Sequence, residues 1–284
     1  TESVVVTVSN NGTAPQSPYE VNYSINDVLQ QTETVNSSLI SGATYQHTFT
    51  ATYDFSSPGT YSISASVSVA DDEISSNNTL TASVESVTTI SDYPYTEGFE
   101  DGTHQWTLSG VWEQGTPAQT NISLASSGSG VIMTDLDANY GTDLYDVAES
   151  PVFDLSAMDG AELSFDIFYQ TEADYDGVIL AYRTDLSEDY TIIESGTANW
   201  YNGVFDALGV SGWNGSSGGY LTASTDLSFL ASEPIVQLAF YLISDYTVGD
   251  EGVAIDEFVI TPIYDLGSIE LTAEAIDENN EFDA

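Results

Sequence analysis

The chain has 284 residues, of which 41% are hydrophobic and 12% aromatic, and it carries 45 Asp and Glu residues against one basic residue, Arg183. Its formal net charge of −44 excludes nucleic acid and anionic membrane surfaces as partners, because no Lys/Arg patch exists to neutralise phosphates. The apolar content is too high for a disordered acidic tail, and no apolar run is long enough for membrane insertion. The chain contains no Cys, which excludes disulfides and thiolate metal sites.

The carboxylates of this chain almost entirely lack a protein cation as a partner. A clustered or buried carboxylate must therefore face water, take up a proton or bind a metal ion. Ca²⁺ is the natural counter-ion, because it prefers oxygen ligands and tolerates irregular geometry. The alternative is a general acidic solubility device, as in proteins of halophiles.

Alternation of apolar and polar residues begins at Val4 and dominates the chain. It is clearest between Tyr61 and Val69, where apolar residues alternate with Ser, as in a half-buried antiparallel strand. Later stretches with the same alternation are 163–169, 178–182 and 236–242. Gly, Pro, Asn and Asp turn signals separate these stretches, and no helical stripe exceeds two turns. The pattern predicts an all-β protein built from sandwiches.

The composition changes near residues 86–98, since all four Trp residues follow that point. We therefore predict a first domain over residues 1–88, which is the size of an immunoglobulin-like sandwich. A second domain over residues 89–263 has the size of a jelly-roll β-sandwich. A short third segment covers residues 265–284.

The first domain resembles the bacterial adhesion-type immunoglobulin-like modules called CARDB. The resemblance implies an immunoglobulin-like fold and covers nearly the whole domain. The residues that carry it are Val4-Val-Val-Thr-Val-Ser-Asn-Asn-Gly12, Tyr23-Ser-Ile-Asn26, Pro58-Gly-Thr-Tyr-Ser-Ile63, Asp72 and Asn77-Asn78-Thr79.

The second domain resembles the MAM-like jelly rolls of the choice-of-anchor J group, which occur in large surface proteins of Bacteroidota. The resemblance implies an extracellular β-sandwich, commonly with calcium, in adhesins or beside secreted enzymes. Some proteins of this group are mobile adhesins exported by type IX secretion. The residues that carry the resemblance are Gly98-Phe-Glu-Asp-Gly102, Trp106, Ser150-Pro-Val-Phe-Asp-Leu-Ser156, Asp176-Gly177, Gly212-Trp-Asn-Gly-Ser-Ser-Gly-Gly219, Asp226-Leu-Ser228 and Val253-Ala-Ile-Asp-Glu-Phe-Val-Ile260.

The pattern of segment 265–284 predicts the opening strand of another immunoglobulin-like domain. A domain of the first type should have a strand before Val4, and the segment offers Ile269, Leu271, Ala273 and Ala275 on one face. We therefore expect the chain to be a tandem repeat unit whose partners are neighbouring copies, joined covalently or by strand donation. The alternative is that the segment is a frayed tail.

A metal site is expected around Asp256. On a strand over residues 253–260, Asp256 shares a face with Ala254, Phe258 and Ile260, and a carboxylate on an apolar face needs a cation. The resemblance to the jelly-roll group implies that this acid and Glu100 lie together around an ion. Asp137 is a third candidate ligand, and Ca²⁺ suits oxygen ligands from separate loops. The alternative is that these acids face solvent at a sheet edge.

Two further sets of residues could bind ligands. Acids in the turns 135–137 and 172–176 could form additional Ca²⁺ sites, although solvated turn acids are the simpler interpretation. Trp200, Tyr201 and Trp213 could form a platform for surface glycans, although aromatic residues in jelly rolls usually pack in the core.

Catalysis is not expected. His47 and His104 lie in different predicted domains, and the sequence contains no Cys nucleophile, G-x-S-x-G elbow or H-E-x-x-H motif. The sequence therefore predicts a non-enzymatic structural or adhesive repeat of a long extracellular filament at the bacterial cell surface, stabilised by Ca²⁺. The alternatives are a glycan-binding jelly-roll module and an accessory region of a secreted hydrolase.

Overall fold

A computed structural model describes residues 1–70, 72 and 74–264. The described residues form β-structure with two short 3-10 helices, Ser75–Asn77 and Ser228–Leu230, which confirms the all-β prediction. They divide into two compact units, the first ending at Thr88 and the second beginning at Thr89. Among these residues, no helix has the length and apolar character needed to cross a membrane. The predicted opening strand in 265–284 lies outside the described residues.

The first unit is an immunoglobulin-like sandwich of two antiparallel sheets. The strands are β1 (Glu2–Ser9), β2 (Tyr19–Ile25), β3 (Val28–Val35), β4 (Thr44–Tyr53), β5 (Gly59–Ser68) and β6 (Thr79–Ser86). One sheet has the order β3-β2-β5-β6 and the other pairs β1 with β4. The inward residues of β2 supply much of the core, and Val4 and Phe49 cover them from the opposite sheet.

The second unit is a jelly-roll sandwich of two larger sheets, with a small hairpin on one side. Its strands are β7 (Thr89–Ile90), β8 (Tyr95–Glu97), β9 (Thr107–Leu108), β10 (Trp112–Gly115), β11 (Val131–Thr134), β12 (Tyr145–Phe153), β13 (Gly160–Gln170), β14 (Gly177–Arg183), β15 (Thr191–Ile192), β16 (Gly203–Phe205), β17 (Val210–Gly212), β18 (Leu221–Asp226), β19 (Val236–Ile243) and β20 (Gly252–Ile263).

The first of these sheets has the order β10-β11-β20-β13-β18, with β8 also paired to β20. The second has the order β15-β14-β19-β12-β7, with β9 also paired to β12. Alternate residues of the central strands meet between the sheets, and Phe165, Phe240 and Phe258 lie at the centre of this core without exposed surface. The period-2 pattern of these strands therefore follows from a sheet with one face in a dry core.

Loops cover the outer faces of both sheets. Ile122 packs on Val131, Met133 and Phe168 behind the first sheet. Phe205 of the β16–β17 hairpin packs behind the second sheet. Each sheet is consequently buried on both faces over part of its area, and acids on an outer face can still be enclosed.

A β-bulge in β20 corrects the predicted position of Asp256. The register between β13 and β20 shifts near this point, and Glu257 has a left-handed backbone with φ of 48°. Asp256 therefore shares the outer face with Ala254, while Phe258 turns into the core between the sheets. The prediction that Asp256 and Phe258 share one face was wrong, because regular alternation does not continue across a bulge.

Candidate metal site

Three carboxylates meet where three strands of the second unit begin or end. Glu172 follows β13, Asp176 precedes β14 and Asp245 follows β19. One oxygen of each lies within 4.8 Å of the others. The pairing of Gly177 with Ile243 places the start of β14 beside the end of β19. The turn that begins at Glu172 brings the third acid to the same point, since its carbonyl oxygen accepts the Asp176 N–H at 3.0 Å.

Asp176 is the buried member of this cluster, with no exposed surface. One carboxylate oxygen accepts the Asp245 backbone N–H at 2.7 Å, and the other accepts the Tyr140 hydroxyl at 2.8 Å. Burial raises the pKa of Asp176, and the negative charges of Asp245 and Glu172 raise it further. These two hydrogen bonds offset the increase in part. The carboxylate is thus held in place while its charge is only partly compensated.

Two hydroxyl groups connect the members of the cluster. The buried Tyr140 hydroxyl also accepts the Glu172 backbone N–H at 3.1 Å. The Thr247 hydroxyl lies 3.0 Å from a Glu172 carboxylate oxygen and 2.7 Å from Asp245 Oδ1. The positions of the three acids are therefore fixed by bonds to side chain and backbone, as a preformed ligand set requires.

No basic side chain is available to neutralise the cluster, since the only Lys or Arg in the sequence is Arg183. Its guanidinium lies 3.3 Å from Glu149 and 4.4 Å from the centre of the Tyr190 ring. It also donates to Gln237. Glu172, Asp176 and Asp245 could therefore hold a metal ion, and oxygen-only ligands suit a hard cation.

The structure places the predicted ligands Glu100 and Asp256 against one loop. Glu100 accepts the backbone N–H groups of Ser129 at 3.0 Å and Gly130 at 3.1 Å, which lowers its pKa. Asp256 accepts the Ser127 N–H at 2.9 Å, but its pKa is raised because burial outweighs this hydrogen bond. The two acids therefore fix both halves of the Ser/Gly loop 126–130.

Among the described residues, Asp137 does not form a compact group of ligand atoms with these two acids. It is exposed, and among the described residues the only compact group of three or more potential ligands is the Glu172 cluster. Backbone N–H groups already occupy oxygens of Glu100 and Asp256. Glu100 and Asp256 therefore accept hydrogen bonds that position the loop 126–130.

Asp166 is an acid near this loop that the sequence analysis did not single out. It lies opposite Asp256 on the neighbouring strand, and its carboxylate accepts the hydroxyl groups of Ser126 at 2.5 Å and Thr222 at 2.6 Å. The buried Tyr220 hydroxyl has no hydrogen-bond partner among the described residues, and both carboxylates contribute to its raised pKa after burial. Directly opposed like charges weaken a strand pair, and the hydroxyl groups of Ser126 and Thr222 offset part of this repulsion by hydrogen bonding to Asp166.

The structure buries one member of the predicted sugar platform completely. Trp213 has no exposed surface, and its indole N–H donates to the Asn199 carbonyl oxygen at 3.0 Å. Its ring lies 4.9 Å from Trp200 and 4.7 Å from Tyr201, which are both partly buried against the core. Trp213 therefore has no exposed face on which a sugar could stack, whereas sugar binding by Trp200 and Tyr201 stays a prediction.

Asp245 is the member of the cluster that sequence reasoning missed. Glu172 and Asp176 stand out as closely spaced acids in one turn, whereas Asp245 follows a different strand much later in the chain. The only local signal is its position directly after the alternating run 236–242, because acids that follow neighbouring strands lie at one sheet edge. That signal requires knowing that β14 and β19 are neighbours.

Comparison with protein families gives a match over the first unit. The CARDB family model matches residues 1–90. No curated protein matches the chain.

Solved structures of β-sandwich domains are similar to part of the chain. The K1 cleaved adhesin domain of Lys-gingipain from Porphyromonas gingivalis W83 has 15% sequence identity and a TM-score of 0.37, over 61% of this chain and 99% of that chain. The CBM22-1 xylan-binding domain of Paenibacillus barcinonensis Xyn10C has 16% identity and a TM-score of 0.37, over 62% of this chain and 98% of that chain. These values are too low to transfer a ligand or a partner to this chain.

Proposed function

We propose that this chain is a non-catalytic structural and adhesive module of an extracellular bacterial surface protein. The observation that carries the proposal is the match of the first unit to CARDB, in a chain that joins this sandwich to a jelly roll. The resemblance of the second unit to MAM-like jelly rolls supports the same location. The net charge of −44 would keep neighbouring molecules apart and their surfaces hydrated.

The mass of the native protein under denaturing conditions tests whether the module is part of a longer filament. A tandem filament predicts a species much larger than the 30.4 kDa of this chain. Mild proteolysis of that species should release fragments that share this sequence. A native species of 30.4 kDa would contradict the covalent filament and leave separate subunits.

The proposed stabilising ion is Ca²⁺ at Glu172, Asp176 and Asp245. Three carboxylates, neutral oxygen atoms nearby and the absence of nitrogen or sulfur ligands in this cluster favour Ca²⁺ over a transition metal. A bound divalent cation would remove the repulsion among the three carboxylates. It would also connect the ends of β13, β14 and β19.

Thermal unfolding with Ca²⁺ or with excess chelator tests this site. At free Ca²⁺ about 100 times Kd, the ion should stabilise the folded protein by about 2.7 kcal/mol. Asp245→Asn should remove this Ca²⁺-dependent increase in melting temperature. Asp137→Asn is the matched control and should retain it, because Asp137 is exposed and outside the cluster. An unchanged melting temperature in chelator would contradict the calcium proposal.

Glycan binding is the second candidate function, at a different position from the predicted platform. A depression of about 390 Å³ in the second unit is lined by residues 192–197 together with Tyr182, Thr225, Asp226 and Phe229. The Phe229 side chain is 55% exposed, and its ring lies 5.2 Å from that of Tyr182. An exposed aromatic face beside polar groups suits the apolar face and hydroxyl groups of a sugar.

A glycan array with the complete chain tests the second candidate. Phe229→Ala should abolish any specific signal, whereas Tyr246→Ala should retain it, since Tyr246 is an even more exposed aromatic residue that lies outside the depression. Equal signals from both variants would argue against this depression as the binding site.

A further inference from the structure

The four-stranded sheet of the first unit has a core-facing apolar row that the second sheet does not cover. Leu80, Ala82 and Val84 of β6 lie opposite Ala65, Ile63 and Tyr61 of β5, so they share the inner face of the sheet. The β5 residues pack on the core, yet Leu80 is 76% exposed and Val84 40% exposed. Apolar residues on the inner face of a sandwich are normally covered by the opposite sheet.

The cause is the unequal width of the two sheets. The opposite sheet contains only β1 and β4 among the described residues. β4 lies on the side of β3, to which its Thr50 is hydrogen-bonded through Glu33 and Gln31. The free edge of β1 therefore points toward β6, and its unpaired N–H and C=O groups can accept another strand.

A groove of about 830 Å³ runs along this free edge. It is lined by residues 5–9 of β1, residues 65–67 of β5 and Thr79 and Leu80 of β6, among others. One face of the groove offers backbone hydrogen bonds, and the floor offers apolar side chains. This combination fits one added β-strand with alternating apolar residues.

We propose that residues 266–276 of a second copy of this chain occupy the groove as a strand antiparallel to β1. The described residues leave only one long stretch of sequence unassigned, residues 265–284. Within it, Ile269, Leu271, Ala273 and Ala275 alternate with Glu270, Thr272 and Glu274. The apolar residues would cover the β6 row, and the small alanines suit a narrow groove. The two Glu side chains would face water, where carboxylates without cations belong.

A strand from a second copy is free to pair with β1 in the antiparallel direction, because no connection within one chain fixes its orientation. Antiparallel pairing is also the commoner arrangement of neighbouring strands. This inference deepens the proposed function and rests on it in one respect, that copies of the module meet.

Disulfide cross-linking of the complete chain tests the proposal, since the natural sequence contains no Cys. The acceptor variant is T7C, because Thr7 is exposed on β1. The donor variants are E270C, T272C and E274C, which scan the register along the outward face of the segment. Donor and acceptor chains are mixed and oxidised, and mass spectrometry measures the mixed dimer. The control acceptor is T34C, on the exposed edge strand β3 of the same unit.

At least one donor should give about tenfold more mixed dimer with T7C than with T34C, because a docked strand raises the effective thiol concentration. Equal yields with T7C and T34C would overturn the proposal. A T7C/T272C chain that cross-links within itself at every protein concentration would also overturn it, since its own tail would then fill the groove. The native mass reports covalent joining separately, so failure of the filament proposal is distinguishable from failure of strand docking.

A pair of charge substitutions tests whether apolar contacts hold the strand. In the E274C donor, L271D should lower the yield of mixed dimer about tenfold, because a carboxylate would face the apolar groove. T272D adds the same charge on the outward face and should change the yield less than about twofold. Circular dichroism should show the same fold for both variants. Equal losses with L271D and T272D would overturn the proposed orientation of the strand.

Discussion

Asp176 is a fully buried carboxylate whose charge the fold compensates only in part. It is fully buried, its hydrogen bonds come from neutral donors, and two other acids lie beside it. The lone Arg183 is engaged by Glu149 and Gln237. A bound cation or a proton is therefore the remaining means of neutralising this carboxylate.

The raised pKa of Asp176 predicts a specific pH dependence in chelator. Between the unfolded pKa of about 3.9 and the higher folded pKa, the folded state binds more protons than the unfolded state. The contribution of Asp176 to stability is thus complete below the unfolded pKa and is lost as pH rises through the folded pKa. We expect Asp176→Asn to flatten the decline of melting temperature with pH, measured by calorimetry, whereas Asp137→Asn should not. Identical pH profiles for wild type and Asp176→Asn would contradict the prediction.

Trp213 is predicted to contribute to stability through packing. Its ring contacts Phe165 at 5.6 Å as well as Trp200 and Tyr201. Trp213→Ala should lower the free energy of unfolding by about 3–5 kcal/mol, measured by urea denaturation. Phe229→Ala is the control and should cost much less, because that side chain is 55% exposed. A loss below about 1 kcal/mol for Trp213→Ala would be inconsistent with a core role.

The loop 126–130 is held by acids from elsewhere in the second unit. Gly128 has φ of 52°, and a Cβ there would lie 2.2 Å from Glu100 Oε1. Glu100 could move aside only by giving up its bonds to Ser129 and Gly130. A glycine at this position lets the carboxylate approach the backbone of the loop.

Gly128→Ala should therefore be more destabilising than Gly218→Ala. Gly218 has a similar φ of 69°, but a Cβ there would have no neighbour within 4 Å. We expect the difference in free energy of unfolding to be about 1 kcal/mol, since it reflects the lost hydrogen bonds. In a Glu100→Ala background, Gly128→Ala and Gly218→Ala should lower the free energy of unfolding equally. A double-mutant cycle by urea denaturation measures this. An unchanged difference would show that Glu100 is not the cause.

The whole molecule carries −44 charges in 284 residues, so long-range repulsion opposes its compact state. Raising NaCl from about 0.01 M to about 1 M shortens the Debye length from about 30 Å to about 3 Å. The melting temperature in chelator should therefore rise with NaCl. A flat or falling curve would mean that the acids are too far apart to repel one another in the folded state.

The sequence predicted the individual strands well because each strand has one face in a core. The runs that begin at Val4, Tyr61, Leu163, Val178 and Val236 all lie in strands of the structure. Such local alternation is complete within a few residues, and it needs no knowledge of the pairing partner. The turn acids Glu172 and Asp176 could be singled out for the same reason.

Long-range pairing decided the features that the sequence alone could not supply. The bulge at Glu257 moved Asp256 to the outer face, and the neighbouring positions of β14 and β19 brought Asp245 to Asp176. Trp213 became a core residue because the chain folds it onto Phe165. The sequence by itself determined the all-β character, the excess of unpaired carboxylates and the periodicity of each strand, since these are properties of composition and local order. Only the tertiary structure decided which carboxylates meet and which apolar row remains uncovered, because both depend on residues that are distant in sequence.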